Sequence, residues 1–152
     1  MKTSTMFGAT EPRRVVEAVM NGISAGQWSE LHEWYADDAV IEYPFALPVP
    51  SRLTGRGAIQ KYFAAVARLP LTLQARNMVV HETADPEVVV AEWDYDGTVT
   101  TTRTRFQVSN IQVSRVRAGK IVSSRDYHNH AILAEVTGRL PAVVAALAEQ
   151  RS

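Results

Sequence analysis

Apolar residues near the start of the chain recur every three to four positions. Val15, Val16, Val19, Met20 and Ile23 share one face of a predicted helix. Thr10 is placed to cap it, Pro12 fits its first turn, and Gly22 and Gly26 close it. Trp28, Leu31, Trp34 and Tyr35 mark a short second helix, which Ala36-Asp37-Asp38 stops. The spacing then changes to two. From Ala39 to Phe45, Ile41, Tyr43 and Phe45 alternate with Val40, Glu42 and Pro44, as in a half-buried strand. Residues Ala46 to Leu53 hold Pro48 and Pro50 and read as a loop.

Helical spacing returns once. Thr54 is placed to cap a third helix whose face is Ile59, Tyr62, Phe63 and Val66, and Pro70 ends it. After that the pattern is strand: Leu71 to Thr83, a turn at Asp85-Pro86, then Val88 to Tyr95. Asp96-Gly97 is a hairpin signal, leading into a long Thr- and Val-rich strand, Thr98 to Val116. The turn Arg117-Ala118-Gly119-Lys120 opens a last strand, Ile121 to His130, and the tail past it, punctuated by Gly138 and Pro141, is helical. Three helices with one strand among them, then a four-strand meander, predict an α+β fold with helices on one face of an antiparallel sheet. No repeat, linker or low-complexity tract divides residues 1–152, so one domain is expected.

Composition narrows the partners. Sixteen basic and sixteen acidic residues cancel, leaving no basic excess for phosphates, so nucleic acid is not an expected partner. Zero net charge also does little to keep copies apart. There is no cysteine, which removes disulfides, thiolate metal sites and a cysteine nucleophile. No apolar run nears the roughly 18 residues that span a bilayer, and the first residues lack the apolar region of a signal peptide. A cytoplasmic protein with no membrane contact is the expectation. Glycine-rich phosphate loops and a Gly-x-Ser-x-Gly elbow are both missing.

Three segments carry a family resemblance: Trp34-Tyr35-Ala36-Asp37-Asp38-Ala39-Val40-Ile41-Glu42-Tyr43-Pro44, Thr54-Gly55-Arg56-Gly57-Ala58-Ile59, and Val116-Arg117-Ala118-Gly119-Lys120-Ile121-Val122. They resemble, in the same order, the first-strand, third-helix and last-strand regions of NTF2-like proteins of the SnoaL-like and ketosteroid-isomerase-related group. The resemblance implies a cone: a curved sheet and three helices around an apolar pocket, commonly as a homodimer formed through the sheet. Ser124-Arg125-Asp126-Tyr127-His128-Asn129 is similar to the last strand of limonene-type epoxide hydrolases, where the Arg-Asp-Tyr run supplies a catalytic aspartate. It is also similar to phenazine-biosynthesis condensing proteins, which hold an acid–base glutamate at the place of Asp126. The departures are as specific. The aspartate base of ketosteroid isomerases is replaced here by Tyr43, the arginine and second aspartate of the epoxide hydrolases by Trp93 and Tyr95, and their asparagine by Phe45.

These residues compose the expected site. Strand parity puts Ser124, Asp126, His128 and His130 on one face and Ile121, Ser123, Arg125 and Tyr127 on the other; the resemblance turns the Asp126 face inward. A carboxyl in an apolar pocket has its charged form disfavoured and its pKa raised toward the range useful for proton transfer. The competing reading is a solvated Asp126, or one paired with an arginine. His128 is placed to share the proton, and Tyr43 to donate to an oxyanion. Phe45, Tyr62, Trp93 and Tyr95 form the wall for a flat apolar ligand, and Asn110 and Gln112 add polar contacts. Asp126-x-His128-x-His130 aims three metal-ligand types one way, but metal sites gather ligands from several elements, and no metal or other cofactor is expected. His81, His32 and Glu42 are read as structural or solvated. Arg103, Arg105, Arg115, Arg117 and Arg125 are read as an exposed sheet face. The expected function is cofactor-free proton transfer on a small oxygenated apolar compound such as a polyketide, terpenoid or steroid. The alternative is a ligand-binding domain without chemistry.

Overall fold

The computed structural model describes residues 3–151. The chain runs α1 (Thr3–Ser24), a 3₁₀ helix (Trp28–Trp34), β1 (Tyr35–Tyr43), β2 (Ser51–Thr54), α2 (Arg56–Ala67), β3 (Leu71–Glu82), β4 (Val88–Val99), β5 (Thr104–Arg117), β6 (Lys120–Tyr127), α3 (His130–Val136) and α4 (Leu140–Glu149). The six strands form one curved, open sheet in the order β2-β1-β6-β5-β4-β3. Four strands, β3 to β6, are the expected antiparallel meander. β1 joins its edge parallel to β6, so the sheet is mixed rather than wholly antiparallel. β2 then pairs antiparallel with β1 at the outer edge.

The core lies between one sheet face and the helices. Val15, Val16, Val19, Met20 and Ile23 are buried along α1, as their spacing predicts, and Ile59 and Phe63 are buried on α2. Gly22 does not end α1. A Cβ there would lie 2.6 Å from Cδ2 of the fully buried Leu31, so the glycine lets the 3₁₀ helix pack against α1. Thr10 is inside α1, which begins upstream of it; Pro12 is therefore interior and withholds one backbone N–H.

Several boundaries move for physical reasons. Ala36-Asp37-Asp38 lies within β1, because Tyr35 already pairs with Ile121. Between that pair and Val40–Ser123, five steps on β1 oppose two on β6, and this irregularity leaves Asp37 and Asp38 in solvent. Residues 51–54, read as loop, add strand β2. Thr54 belongs to that strand, and α2 is entered through Gly55, whose φ of 90° suits glycine. Asp96-Gly97 is not a turn. Gly97 sits mid-strand directly opposite Phe106, and a Cβ on it would come within 2.2 Å of the Phe106 ring. The hairpin turns at residues 100–103, beyond Val99. β6 ends at Tyr127, so His130 opens α3, capped by Asn129 Oδ1 accepting from the Ile132 N–H at 3.2 Å.

One irregularity positions the site. Arg115 pairs with Ser123, yet Val116 pairs with Ile121, so Val122 is an extra residue on β6. The bulge resets strand parity. Ile121 therefore faces inward together with Ser124 and Asp126, where simple alternation had set it on the opposite face.

Candidate functional site

A cavity of about 200 Å³ lies between the inner face of the sheet and helices α1, α2 and α3. Its apolar side is built by Val19, Met20 and Ile23 of α1, Phe63 and Val66 of α2, and Leu73 of β3. Its polar end is built by the sheet. Trp93 and Tyr95 come from β4, Asn110 and Gln112 from β5, and Asp126 from β6, with His128 just past it. Tyr43 at the end of β1 and Tyr62 of α2 reach it from the side. Alternation does this work: each inward residue on these central strands is flanked by outward ones, so a two-residue period in the sequence becomes one wall of the pocket.

Asp126 is 6% exposed and meets no cation. Its side-chain partner is the Ser124 hydroxyl, which donates to Oδ1 at 2.9 Å. Gln112, directly opposite on β5, donates instead to Ser114 Oγ at 2.7 Å. Burial therefore governs the carboxyl and pushes its pKa up to about 7, against the smaller opposing effect of the Ser124 hydrogen bond. Neither alternative expected for it, solvation or an arginine partner, occurs. His128 is not bonded to it either.

Four phenols ring the carboxyl. Burial raises the pKa of Tyr35, Tyr43, Tyr62 and Tyr95, and the Asp126 charge adds to the effect on each. All four keep their protons at neutral pH and remain donors. Tyr43 and Tyr62 pack against each other with tilted rings, centroids 5.6 Å apart. The Tyr95 hydroxyl points to Met20 Sδ at 3.8 Å. The imidazoles are of the opposite kind. Burial lowers the pKa of His128 to about 4, helped by the nearby His130, so His128 is neutral near pH 7. It packs against Tyr43 and Trp93, at 6.0 and 6.3 Å between centroids, and stacks on His130 at 5.7 Å.

Of the residues expected at the site, Phe45 is the one displaced. It lies beyond the end of β1, is 63% exposed, and packs on Tyr127 on the outer side of the sheet. Sequence reading missed Tyr35, the α1 side of the cavity, and the mouth formed by Leu69, Leu71, Leu133, Thr137 and Arg139. The α1 spacing marked those residues as core, which most of them also are; nothing local marked the tail as part of a pocket. Among the described residues, no three His, Cys, Asp or Glu side chains gather as a metal site. His130, placed on α3 by the chain turn after Tyr127, does not extend the Asp126 row along the strand. His81 pairs with Glu92 at 2.6 Å on the outer face, and Glu42 with Arg52 at 2.7 Å. No helix among the described residues is long and apolar enough to cross a membrane.

Comparison with known proteins agrees with this fold. A family model described as SnoaL-like domain matches residues 16–124. The uncharacterized protein YesE of Bacillus subtilis (strain 168) is 32% identical over 131 residues, covering 86% of this chain and 87% of its own length. The uncharacterized PhzA/B-like protein PA3332 of Pseudomonas aeruginosa is 32% identical over 112 residues, covering 72% and 74%. The crystal structure of a candidate isomerase from Bacillus subtilis superposes with a TM-score of 0.78 at 28% identity, covering 85% of this chain and 94% of that one. The cone is the NTF2-like fold, shared with solved NTF2-like proteins.

Proposed function

The chain belongs to the SnoaL-like domain family, and on that premise we propose that it is a cofactor-independent enzyme moving a proton on a small, largely apolar, oxygenated substrate. The observation that carries this reading is the lone carboxyl of Asp126, at the polar end of an apolar cavity with its pKa at about 7. A group that titrates near the working pH is both a competent base and a competent acid. The ionised half of the population takes a proton from a carbon beside a carbonyl. The C–H electron pair moves into the carbonyl, whose oxygen becomes an enolate. Tyr43 and Tyr62, protonated because burial raises their pKa, are the donors available to that oxygen. Asp126 then returns the proton, at a new carbon in an isomerisation or to a new alkoxide in a cyclisation. Neutral His128 orients the ring system and supplies no charge.

The cavity sets the substrate's size. A dry cavity of roughly 150 Å³ admits benzene, so about 200 Å³ suits one ring with substituents, or two small rings on slight expansion. The test begins with native mass spectrometry of compound co-purifying with the protein. Turnover of that compound is then compared between wild type and Asp126→Asn. A fall of about 10²–10⁴-fold in a folded variant supports the reading; equal turnover removes Asp126 from the mechanism.

A second reading is favoured by the same census: among the described residues, Asp126 is the one acid lining the cavity, with no second carboxylate or paired arginine beside it. The protein would then bind its ligand and return it unchanged, in wild type and variant alike. We also propose that two copies associate through the outer sheet face, where Phe45, Val79 and Ile111 are exposed. Light scattering that gives a monomer at high concentration would remove the dimer.

A further inference from the structure

Buried polar atoms without partners are rare, and two of the four such side-chain atoms among the described residues belong to register partners on a strand pair at the cavity. Trp93 on β4 and Asn110 on β5 are register partners, 2% and 3% exposed, and both line the cavity. Trp93 Nε1 and Asn110 Oδ1 have no hydrogen-bond partner. The indole N–H leans toward the Tyr95 hydroxyl enough to favour that phenol's ionised form slightly, but does not reach hydrogen-bonding geometry. The Asn110 amide is oriented by its Nδ2, which donates to the Val108 carbonyl at 3.4 Å and leaves Oδ1 as the free end. One orphan is thus a donor and its neighbour an acceptor. More than nine in ten buried polar groups in folded proteins are paired, so two together in one wall ask for an occupant.

We propose that the cavity's ligand carries a hydroxyl group held between Trp93 and Asn110, accepting from Nε1–H and donating to Oδ1. The inference rests on the reading of the cavity as a site for a small oxygenated compound and names the group that compound presents. Among the oxygen groups of a small organic ligand, a hydroxyl is the one that completes both atoms through a single oxygen. A carbonyl or ether oxygen accepts but leaves Oδ1 unpaired, and an ammonium donates but leaves the indole N–H unpaired. The class is therefore an alcohol, a phenol or an enol. Asn110 and Gln112 are alternate residues on β5, and Gln112 is opposite Asp126. At about 3.4 Å per residue the hydroxyl pair is roughly 7 Å along the strand from the Asp126 position. One ring spans that distance, with its hydroxyl at Trp93 and its reacting carbon near the carboxyl. Both orphan atoms are closed off from solvent, so the ligand's oxygen reaches them as these two side chains give slightly.

Phenol and toluene, one ring each and of nearly equal shape, are the probes. Burying a hydroxyl without a partner costs enough that an apolar cavity prefers toluene by about tenfold or more. Titrations followed by calorimetry should instead show phenol binding to wild type at least as tightly as toluene. In ¹⁵N spectra, the Trp93 indole N–H resonance should shift with phenol and not with toluene. Trp93→Phe, which removes the donor, should return the preference to toluene by about tenfold. Wild type preferring toluene, or an indole resonance unmoved by phenol, overturns the hydroxyl assignment while leaving the cavity reading intact. The same is true of a Trp93→Phe variant that keeps the phenol preference. Binding of neither probe overturns both.

Discussion

The two faces of one sheet hold their aspartates in opposite conditions. On β4, Asp94 and Asp96 alternate with Trp93 and Tyr95 and point outward. Asp94 accepts from Asn77 Nδ2 at 3.0 Å and from Ser109 Oγ at 2.7 Å; Asp96 accepts from Arg76 Nε at 2.8 Å and from Gln107 Nε2 at 3.0 Å. Those hydrogen bonds lower the pKa of both. Two strands away on the inner face, Asp126 has one hydroxyl partner and a pKa of about 7. Partners and water set the outer carboxyls; burial sets the inner one. A sheet of this kind separates roles by parity alone: outer acids hold neighbouring strands together, and the inner acid keeps a proton that can be moved.

The comparison breaks most visibly in activity. Asp126→Asn should lower turnover by about 10²–10⁴-fold, while Asp94→Asn and Asp96→Asn, with the same chemical change on the other face, should leave it within about twofold. An equal loss from an outer aspartate would mean that the faces are not separate in function.

Stability against pH sharpens the comparison next. Asp126 has a folded pKa near 7 against an ordinary 3.8, so the native state holds a proton that the unfolded chain has already lost. Its contribution is full below about pH 4, declines as pH rises, and is gone above 7. His128 has a folded pKa near 4 against 6.5, so the unfolded chain takes a proton that the native state refuses. Its contribution is full above about 6.5 and is lost as pH falls toward 4. Each is on the order of 3–4 kcal/mol at 1.36 kcal/mol per pKa unit. The two slopes oppose each other between pH 4 and 6.5, and removing either group exposes the other. Asp126→Asn should melt higher than wild type at pH 7.5, and the gap should close near pH 4. His128→Gln should be the variant that gains stability on acidification from pH 6.5 to 4.5. A lower melting temperature for Asp126→Asn at pH 7.5 would mean the carboxylate is solvated in the folded protein.

The inner face is also the more tightly packed. Gly97 faces inward with the Phe106 ring across it, and a new Cβ would approach ring atoms at 2.2–2.6 Å. Gly97→Ala should cost about 1–3 kcal/mol, as overpacking does. Adding Phe106→Ala should recover part of that loss, because the clash is with one ring. A cost in the double variant equal to the sum of the single costs would locate the glycine's role elsewhere, in backbone conformation.

This glycine also shows where the sequence can be read and where it cannot. Period-two alternation placed Trp93, Tyr95, Asn110, Gln112 and Asp126 on strands whose inner face was legible once the resemblance oriented it, and all five line the cavity. Period 3.6 placed Tyr62 there in the same way. Asp96-Gly97 was misleading because a pairwise contact between strands, with Phe106, uses the residue type that turns use. Phe45 continued the alternation of Tyr43, but β1 has ended by then and the next inward position does not exist. The Val122 bulge and the parallel β1–β6 edge are properties of pairing, which no single strand's pattern contains. The cavity mouth at Leu133, Thr137 and Arg139 depends on where the tail packs.

The smallest effect belongs to the outer side, at its densest ion cluster. Glu87 accepts from Arg115 Nη1 and from Arg117 Nε and Nη2, each at 2.9 Å, while Arg115 also pairs with Asp85 at 3.0 Å. These contacts hold the Glu87 pKa down at about 2. A depressed carboxyl contributes stability above its ordinary pKa, near 4.5, and loses it as pH falls toward 2. The shift is large but the cluster is open to solvent, so water and salt screen most of the attraction. Glu87→Gln should therefore lower the melting temperature at pH 7 by no more than about 3 °C. The difference from wild type should shrink in 1 M salt and close between pH 4.5 and 2. A loss several times larger and insensitive to salt would mean that the cluster is shielded from water in solution, as a second copy lying on this face would shield it. The inner and outer acids would then differ in partners but no longer in access to water.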